Sequence, residues 1–189
     1  MDSNSIILIG PRCTGKTSVG KDLSHMLQVP FVDADTEFAK SYGTISDFVG
    51  KYGWPEFRKK ESEIIDTICR EYRCNQIVLT PGGGAVAHDQ GEEYRKHNEE
   101  KLKEFGRIFY LLPLKNLEES ALILTQRMKN DSNSENFRPA LTKESDEYKE
   151  MLGILKKRHE LYSKAAHATI LTGGMSPQEI SDHILEIFE

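Results

Sequence analysis

Fifteen consecutive residues, Ile6-Ile7-Leu8-Ile9-Gly10-Pro11-Arg12-Cys13-Thr14-Gly15-Lys16-Thr17-Ser18-Val19-Gly20, constrain this chain more than any other stretch. Ile6 to Ile9 read as a short buried strand, and Gly10, Gly15, Lys16 and Thr17 then complete the spacing G-x-x-x-x-G-K-[ST]. That is the spacing of a phosphate-binding loop. Glycines let the backbone fold back with its N–H groups turned inward, and a helix opening near Gly15 adds its positive end to the cradle. Lys16 then serves as a mobile charge for β and γ phosphates, and the Thr17 hydroxyl suits a magnesium ion's coordination shell. Pro11, Arg12, Cys13, Thr14, Gly15, Lys16, Thr17 and Ser18 are therefore the candidate nucleotide contacts. The competing reading is an accidental turn, since the chain holds 14 glycines in 189 residues. Two glycines, a lysine and a hydroxyl at fixed offsets after an apolar strand are seldom met by accident.

Downstream, the pattern alternates helix and strand. Val19, Leu23, Met26 and Leu27 recur at helical spacing, and Pro30-Phe31-Val32-Asp33-Ala34-Asp35 reads as a second strand. On that reading Asp33 and Asp35 share one strand face, at the carboxyl end where ligands of open parallel sheets bind. Equally, Asp35 or Thr36 reads as the N-cap of the next helix. Helix is expected over 36–50, broken at Gly50 and Gly53, with a new helix opening at Pro55 and running through Ile64, Ile65 and Ile68. Arg58 and Glu61 are neighbours on its face, an arrangement more often an exposed ion pair than a binding site.

Ile77 to Thr80 gives a third strand, followed by Pro81-Gly82-Gly83-Gly84-Ala85, which is either a loose turn or a place where a ligand lies directly against backbone. The polar run from Ala87 to Phe105 reads as a solvated helix, and Arg107 to Leu112 as the fourth strand. A helix containing Leu117, Ala121, Leu122 and Leu124 is expected to end at Gln126-Arg127-Met128. Asn130 to Asn136 lacks apolar residues and is bracketed by Arg127 and Arg138, the arrangement expected of a lid that brings guanidinium groups over a polyphosphate. A long helix over 144–166 carrying Arg158, a fifth strand over 168–172 and a terminal helix opening at Pro177 complete the pattern. The fold expected is α/β: five mostly parallel strands flanked by helices, in a single domain spanning 1–189.

Bulk properties narrow the partners. The net charge of -5 makes nucleic-acid binding an improbable main role, although a local Arg and Lys cluster can still hold a small anion. No apolar stretch reaches membrane-spanning length and the amino terminus carries no leader pattern, so a cytoplasmic protein is expected. Cys13, Cys69 and Cys74 lack zinc spacing, and Cys13 reads as a small neutral loop residue.

Taken together, these segments resemble a shikimate kinase over almost the full length. The resemblance rests on 10–17, Asp33-x-Asp35, Phe57-Arg58 with Glu61, Gly82-Gly83-Gly84, Arg138-Pro139-x-Leu141, and Arg158 followed by Leu161-Tyr162. It implies a three-layer P-loop kinase fold with a mobile lid near 126–141 and a helical shikimate-binding region near 34–62. It also implies ATP and shikimate as substrates, Mg2+ as cofactor and a monomer. By the same resemblance, Asp35 meets the shikimate hydroxyls and helps deprotonate the attacking one. Arg58 and Arg158 grip the shikimate carboxylate, and Gly82, Gly83 and Gly84 line that pocket. Thr17 and, through water, Asp33 serve the metal; Arg138 is the lid arginine, and Arg127 and Pro177 flank adenine. Asp35, Lys16 and Arg138 are thus the catalytic candidates. Pro81 ahead of the triple glycine and a long lid run depart from the family pattern, and Thr80 becomes the candidate for the hydroxyl linked to the metal.

The expected reaction is in-line phosphoryl transfer, driven by positioning and charge neutralisation. Rival readings are a kinase for gluconate or a nucleoside monophosphate, and a catalytically silent nucleotide-binding module.

Overall fold

The computed structural model describes residues 4–131 and 146–188. In chain order these form β1 (Ser5–Ile9), α1 (Lys16–Leu27), β2 (Phe31–Asp33), α2 (Ala34–Tyr42), α3 (Ile45–Glu71), β3 (Val78–Thr80), α4 (Glu92–Phe105), β4 (Gly106–Leu112), α5 (Leu117–Asp131), α6 (Glu147–Ala165), β5 (Ala168–Leu171) and α7 (Pro177–Phe188). The strands make one sheet in the order β2-β3-β1-β4-β5, and every pairing is parallel.

Three layers follow from the two-residue period of the strands. Ile7 and Ile9 of β1 point to one face and join Ile65, Leu102, Leu124 and Leu155 from α3 to α6. Ile6 and Leu8 point to the other and join Val19 and Leu23 of α1 with Ile180 and Ile184 of α7. Both faces are covered, which explains why β1 is an unbroken apolar run and has no exposed residue. Each such fully buried side chain contributes about 1.5–3 kcal/mol, so the sheet's centre is its most firmly held part. The strand order reverses direction at β1, which makes the crevice above its carboxyl end the place where a ligand binds. The loop from Gly10 to Gly15 starts there.

Several boundaries differ from the sequence reading. β2 stops at Asp33 and α2 begins at Ala34, so Asp33 and Asp35 do not share a strand face. Asp33 itself, rather than Asp35 or Thr36, caps α2 by accepting the Thr36 N–H at 3.1 Å. The first helical break lies at Gly43-Thr44, and the helix runs on through Gly50. There the Thr44 hydroxyl accepts from Asp47 N at 3.2 Å and donates to the Asp47 carboxylate at 2.7 Å, a reciprocal cap that starts α3. The chain leaves helical geometry again only at Gly53 (φ 82°, ψ 168°), just ahead of Pro55. The polar helix α4 begins at Glu92, and the residues expected to open it, Ala87 and His88, are buried in a loop. Helix α5 continues to Asp131, past its expected end at Met128. Arg138 and most of the expected lid, with its motif at 138–141, lie outside the described residues.

Candidate active site

The loop after β1 is shaped by backbone. Gly15 holds φ 91° as the cap of α1, a conformation that costs other residues energy, and Cys13 is also left-handed at φ 64°. Thr14 donates its hydroxyl to the Pro11 carbonyl at 3.0 Å, drawing the loop into a ring. Lys16, nearly buried, spans that ring, its ammonium donating to the carbonyls of Gly10 at 2.9 Å and Pro11 at 2.6 Å. Thr17 and Ser18 follow on the first turn of α1 and are exposed. Arg127, from α5, reaches across the chain to donate to the Cys13 carbonyl at 3.4 Å, so it touches the loop without help from any neighbour in sequence. Pro177 opens α7 and is exposed, in a turn closed by Ser176 and Glu179: Ser176 N donates to the Glu179 carboxylate at 2.7 Å.

Beside the loop lies a pocket open to solvent. Pro11 and Arg12 of the loop form one wall; Asp35, Arg58, Gly83, Gly84 and Arg158 form much of the rest, and Ile45, Trp54, Phe57 and Ile154 make it partly apolar. Five separate parts of the chain thus converge on one spot: the phosphate loop, the first turn of α2, α3, the loop after β3, and α6.

Arg58 is its most constrained member. It is 3% exposed and donates from Nη1 to Glu61 Oε2 at 2.7 Å, with Glu61 itself 4% exposed. Trp54 and Phe57 stand 5.2 and 5.0 Å from the guanidinium carbon, on ring faces that attract a cation. A surface ion pair of this spacing would contribute little, but here each charge is buried and needs the other. Burial pushes the Glu61 carboxyl above its ordinary range; Arg58 opposes that shift, nearby Asp35 adds to it, and Arg158 also opposes it.

The glycines act through close approach. A Cβ at Gly84 would stand 2.5 Å from Arg58 Nη2, and one at Gly82 would stand 2.9 Å from Asp35 Oδ1. Gly83 and Gly84 line the pocket, whereas Gly82 stands behind Asp35 and leaves the wall to its neighbours. The open turn therefore admits side chains of the protein's own α2 and α3, in addition to any ligand. The Gly83 carbonyl accepts the Tyr162 hydroxyl, and Tyr162 stacks on Tyr110 with centroids 4.9 Å apart. Burial raises the Tyr162 pKa, which keeps the phenol protonated as a donor.

Asp33 ends β2, the edge strand beside β3. One carboxylate oxygen caps α2 and the other accepts the Thr80 hydroxyl at 3.0 Å, so Thr80 does stand with Asp33 one position ahead of Pro81. Among the described residues no cluster of three or more His, Cys, Asp or Glu side chains forms a metal cage. One exposed hydroxyl at Thr17 and one carboxylate at Asp33 fit instead an ion that arrives with nucleotide phosphates and keeps most of its water, as Mg2+ does.

Sequence reasoning missed Trp54, Phe57 and Tyr162 as parts of the site. Trp54 and Phe57 at i and i+3, flanking Arg58, are the signal that an aromatic clamp leaves. Tyr162 at i+4 from Arg158 is the signal that both leave α6 on one face.

A sequence profile described as shikimate kinase matches residues 12–189. The chain is similar to the shikimate kinase of Syntrophus aciditrophicus, at 38% identity over all of this chain and 92% of that one. Among solved structures it is similar to the shikimate kinase from Acinetobacter baumannii in complex with shikimate, at 29% identity and a TM-score of 0.80, covering 97% of this chain and 92% of that one. The shikimate kinase of Aquifex aeolicus is similar at 30% identity and a TM-score of 0.70, covering 96% and 94%.

Proposed function

The chain belongs to the shikimate kinase family, which moves the γ-phosphoryl group of ATP to the 3-hydroxyl of shikimate, and we propose that the pocket beside its phosphate loop receives that acceptor. The observation that carries this reading is the shared wall. Pro11 and Arg12 belong both to the loop that holds the donor phosphates and to the pocket that contains Asp35, Arg58 and Arg158. An acceptor seated there meets the transferring group across a single boundary, the positioning that phosphoryl transfer needs.

Arg58 and Arg158 hold the acceptor carboxylate, because a guanidinium fork matches a planar carboxylate through two parallel hydrogen bonds. Asp35 accepts a hydrogen bond from the attacking hydroxyl and orients it toward the loop. Lys16 gives up its contacts with the loop carbonyls to neutralise charge on the transferring group, and Arg138 adds a second cation from the lid. Arg127 and Pro177 flank the adenine, with Gly83 and Gly84 forming the floor under the acceptor and Gly82 leaving room for Asp35 behind it. Thr17, and Asp33 through water, hold Mg2+. Held there, such an ion would supply positive charge that lowers the repulsion an incoming hydroxyl meets.

Loop and pocket come from one chain, which supports a monomer as the complete catalytic unit in a single domain. Among the described residues no helix is long and apolar enough to cross a membrane, in keeping with a cytoplasmic enzyme.

A coupled ADP-release assay across shikimate, quinate, gluconate and nucleoside monophosphates tests the acceptor. Shikimate is expected to give the highest kcat/KM, exceeding gluconate and the nucleotides by about 100-fold or more, because a flexible open chain or a nucleotide does not hold its anionic group at Arg58 and a hydroxyl at Asp35 in the same fixed geometry. Comparable turnover of gluconate, or none of shikimate, would overturn the assignment.

A further inference from the structure

Arg58 and Arg158 also face a second cavity, open to solvent, whose other charged residues take no part in the proposed transfer. Besides these two, its walls carry His88 from the loop after β3, Arg95 from α4 and Lys157 from α6. Four cationic side chains against one acid, Asp89, line a cavity in a chain whose net charge is -5. Arg58 is answered by Glu61 at 2.7 Å and Arg95 by Glu92 at 3.3 Å. Among the described residues neither Lys157 nor Arg158 forms an ion pair, so an unanswered positive charge remains.

His88 is the second observation. It is 2% exposed, and neither ring nitrogen meets a hydrogen-bond partner. The Gln90 backbone stands near enough to favour the protonated ring slightly, but not in bonding geometry. A buried polar group without a partner is costly, and native interiors hold few of them. Burial first, then Arg58, Arg158 and Arg95, lower the His88 pKa to about 3, so the ring is neutral and offers one N–H donor.

We infer that this cavity is an anion site, in which Arg95, Lys157 and Arg158 hold a phosphate group and the His88 imidazole donates its N–H to it. The room available suits a free oxyanion or a phosphate carried on a small carbon skeleton. The two guanidinium groups that separate the cavities cannot give the same hydrogen bonds to both sides. An anion in the second cavity therefore weakens the hold on the acceptor carboxylate without excluding it, and inhibition is partial. This inference rests on the reading that Arg58 and Arg158 grip that carboxylate.

The test varies shikimate against inorganic phosphate, and in a parallel arm glycerol 3-phosphate, at constant ionic strength. Saturating MgATP keeps the loop filled. The shikimate KM is expected to climb about fivefold to a plateau with kcat unchanged, the lower end of ordinary coupling between sites. Whichever anion reaches half-effect at lower concentration identifies the source of the phosphate. Arg95→Gln and Lys157→Glu are expected to keep wild-type kcat and lose the climb. A KM that grows without limit in wild type and Lys157→Glu alike, a change in the ATP KM only, or no change in an enzyme that also binds no phosphate by calorimetry would overturn the proposal. Calorimetry on the MgADP-bound enzyme separates the two readings. Phosphate binding lost in Lys157→Glu, with the shikimate KM indifferent both to phosphate and to Arg58→Ala, would keep the anion site and overturn the acceptor assignment instead.

Discussion

The phosphate loop and the acceptor pocket share Pro11 and Arg12, yet they are built by opposite means. The loop is one contiguous stretch whose binding groups are backbone N–H bonds and a helix end, with a single ammonium laid across them. The pocket draws Asp35, Arg58, Gly84 and Arg158 from segments far apart in the chain, and its charge sits on side chains, of which Arg58 is buried and Asp35 and Arg158 half-buried. Backbone dipoles need no counterion when the ligand leaves. Buried guanidinium groups do, and Glu61 fills that need at Arg58. Damage to the loop should therefore fall on the chemical step, whereas damage to the pocket should fall on folding and on acceptor binding together.

Lys16→Ala is the largest test of that contrast. Its ammonium donates to loop carbonyls and to the neighbouring Thr14 hydroxyl, and α1 keeps its cap. The variant is expected to lose about 10³-fold or more in kcat, the scale on which a positioned charge acts in phosphoryl transfer, with a melting temperature close to wild type. Single-turnover kinetics and a thermal melt read both quantities. A variant that keeps a tenth of wild-type turnover would remove the loop from the mechanism.

Arg58→Ala should show the opposite signature. The shikimate KM is expected to rise about 100-fold with the ATP KM almost unmoved, in line with the loss of a buried partner for a charged group. Stability should fall by about 3–5 kcal/mol, because Glu61 is left as a buried carboxylate with its first partner gone. Adding Glu61→Gln should return most of the stability and none of the affinity. Urea melts beside steady-state kinetics on the single and double variants would show it. Equal effects on both substrates would erase the distinction between the two regions.

The same contrast explains what could be read before the structure was known. The loop, five parallel strands and the terminal helix opening at Pro177 were legible, since each is announced by local spacing: an apolar run, a glycine pair, a proline at a first turn. Asp33 and Asp35 were legible as a pair but misplaced, because a carboxylate that caps a helix ends the strand two residues sooner than the sequence reading placed its end. Arg58 looked like a surface residue because an i, i+3 pair with Glu61 says nothing of burial. Only the packing of α3 against its neighbours, with Trp54 and Phe57 beside the guanidinium, puts it inside. His88 was hidden in a run so polar that it read as helix, although Ala85, Val86 and Ala87 just before it are buried.

Tyr162 offers the finest test, because it holds backbone in the region otherwise made of side chains. Its hydroxyl donates to the Gly83 carbonyl, and its ring is fixed by stacking on Tyr110, whose own hydroxyl meets His159 Nδ1 at 3.3 Å. Tyr162→Phe keeps the ring and the stack and removes one hydrogen bond. The expected cost is about 1 kcal/mol of stability. Because Gly83 and Gly84 form the wall against which Arg58 lies, the shikimate KM should rise about threefold, the change that a loss of similar size in positioning produces, with kcat and the ATP KM unchanged. A merely structural tyrosine would lower the melting temperature and leave that ratio of KM to kcat alone. An unmoved shikimate KM in a destabilised variant would therefore mean that the triple glycine holds its shape without α6, and that the pocket's floor, like the loop, is set by backbone.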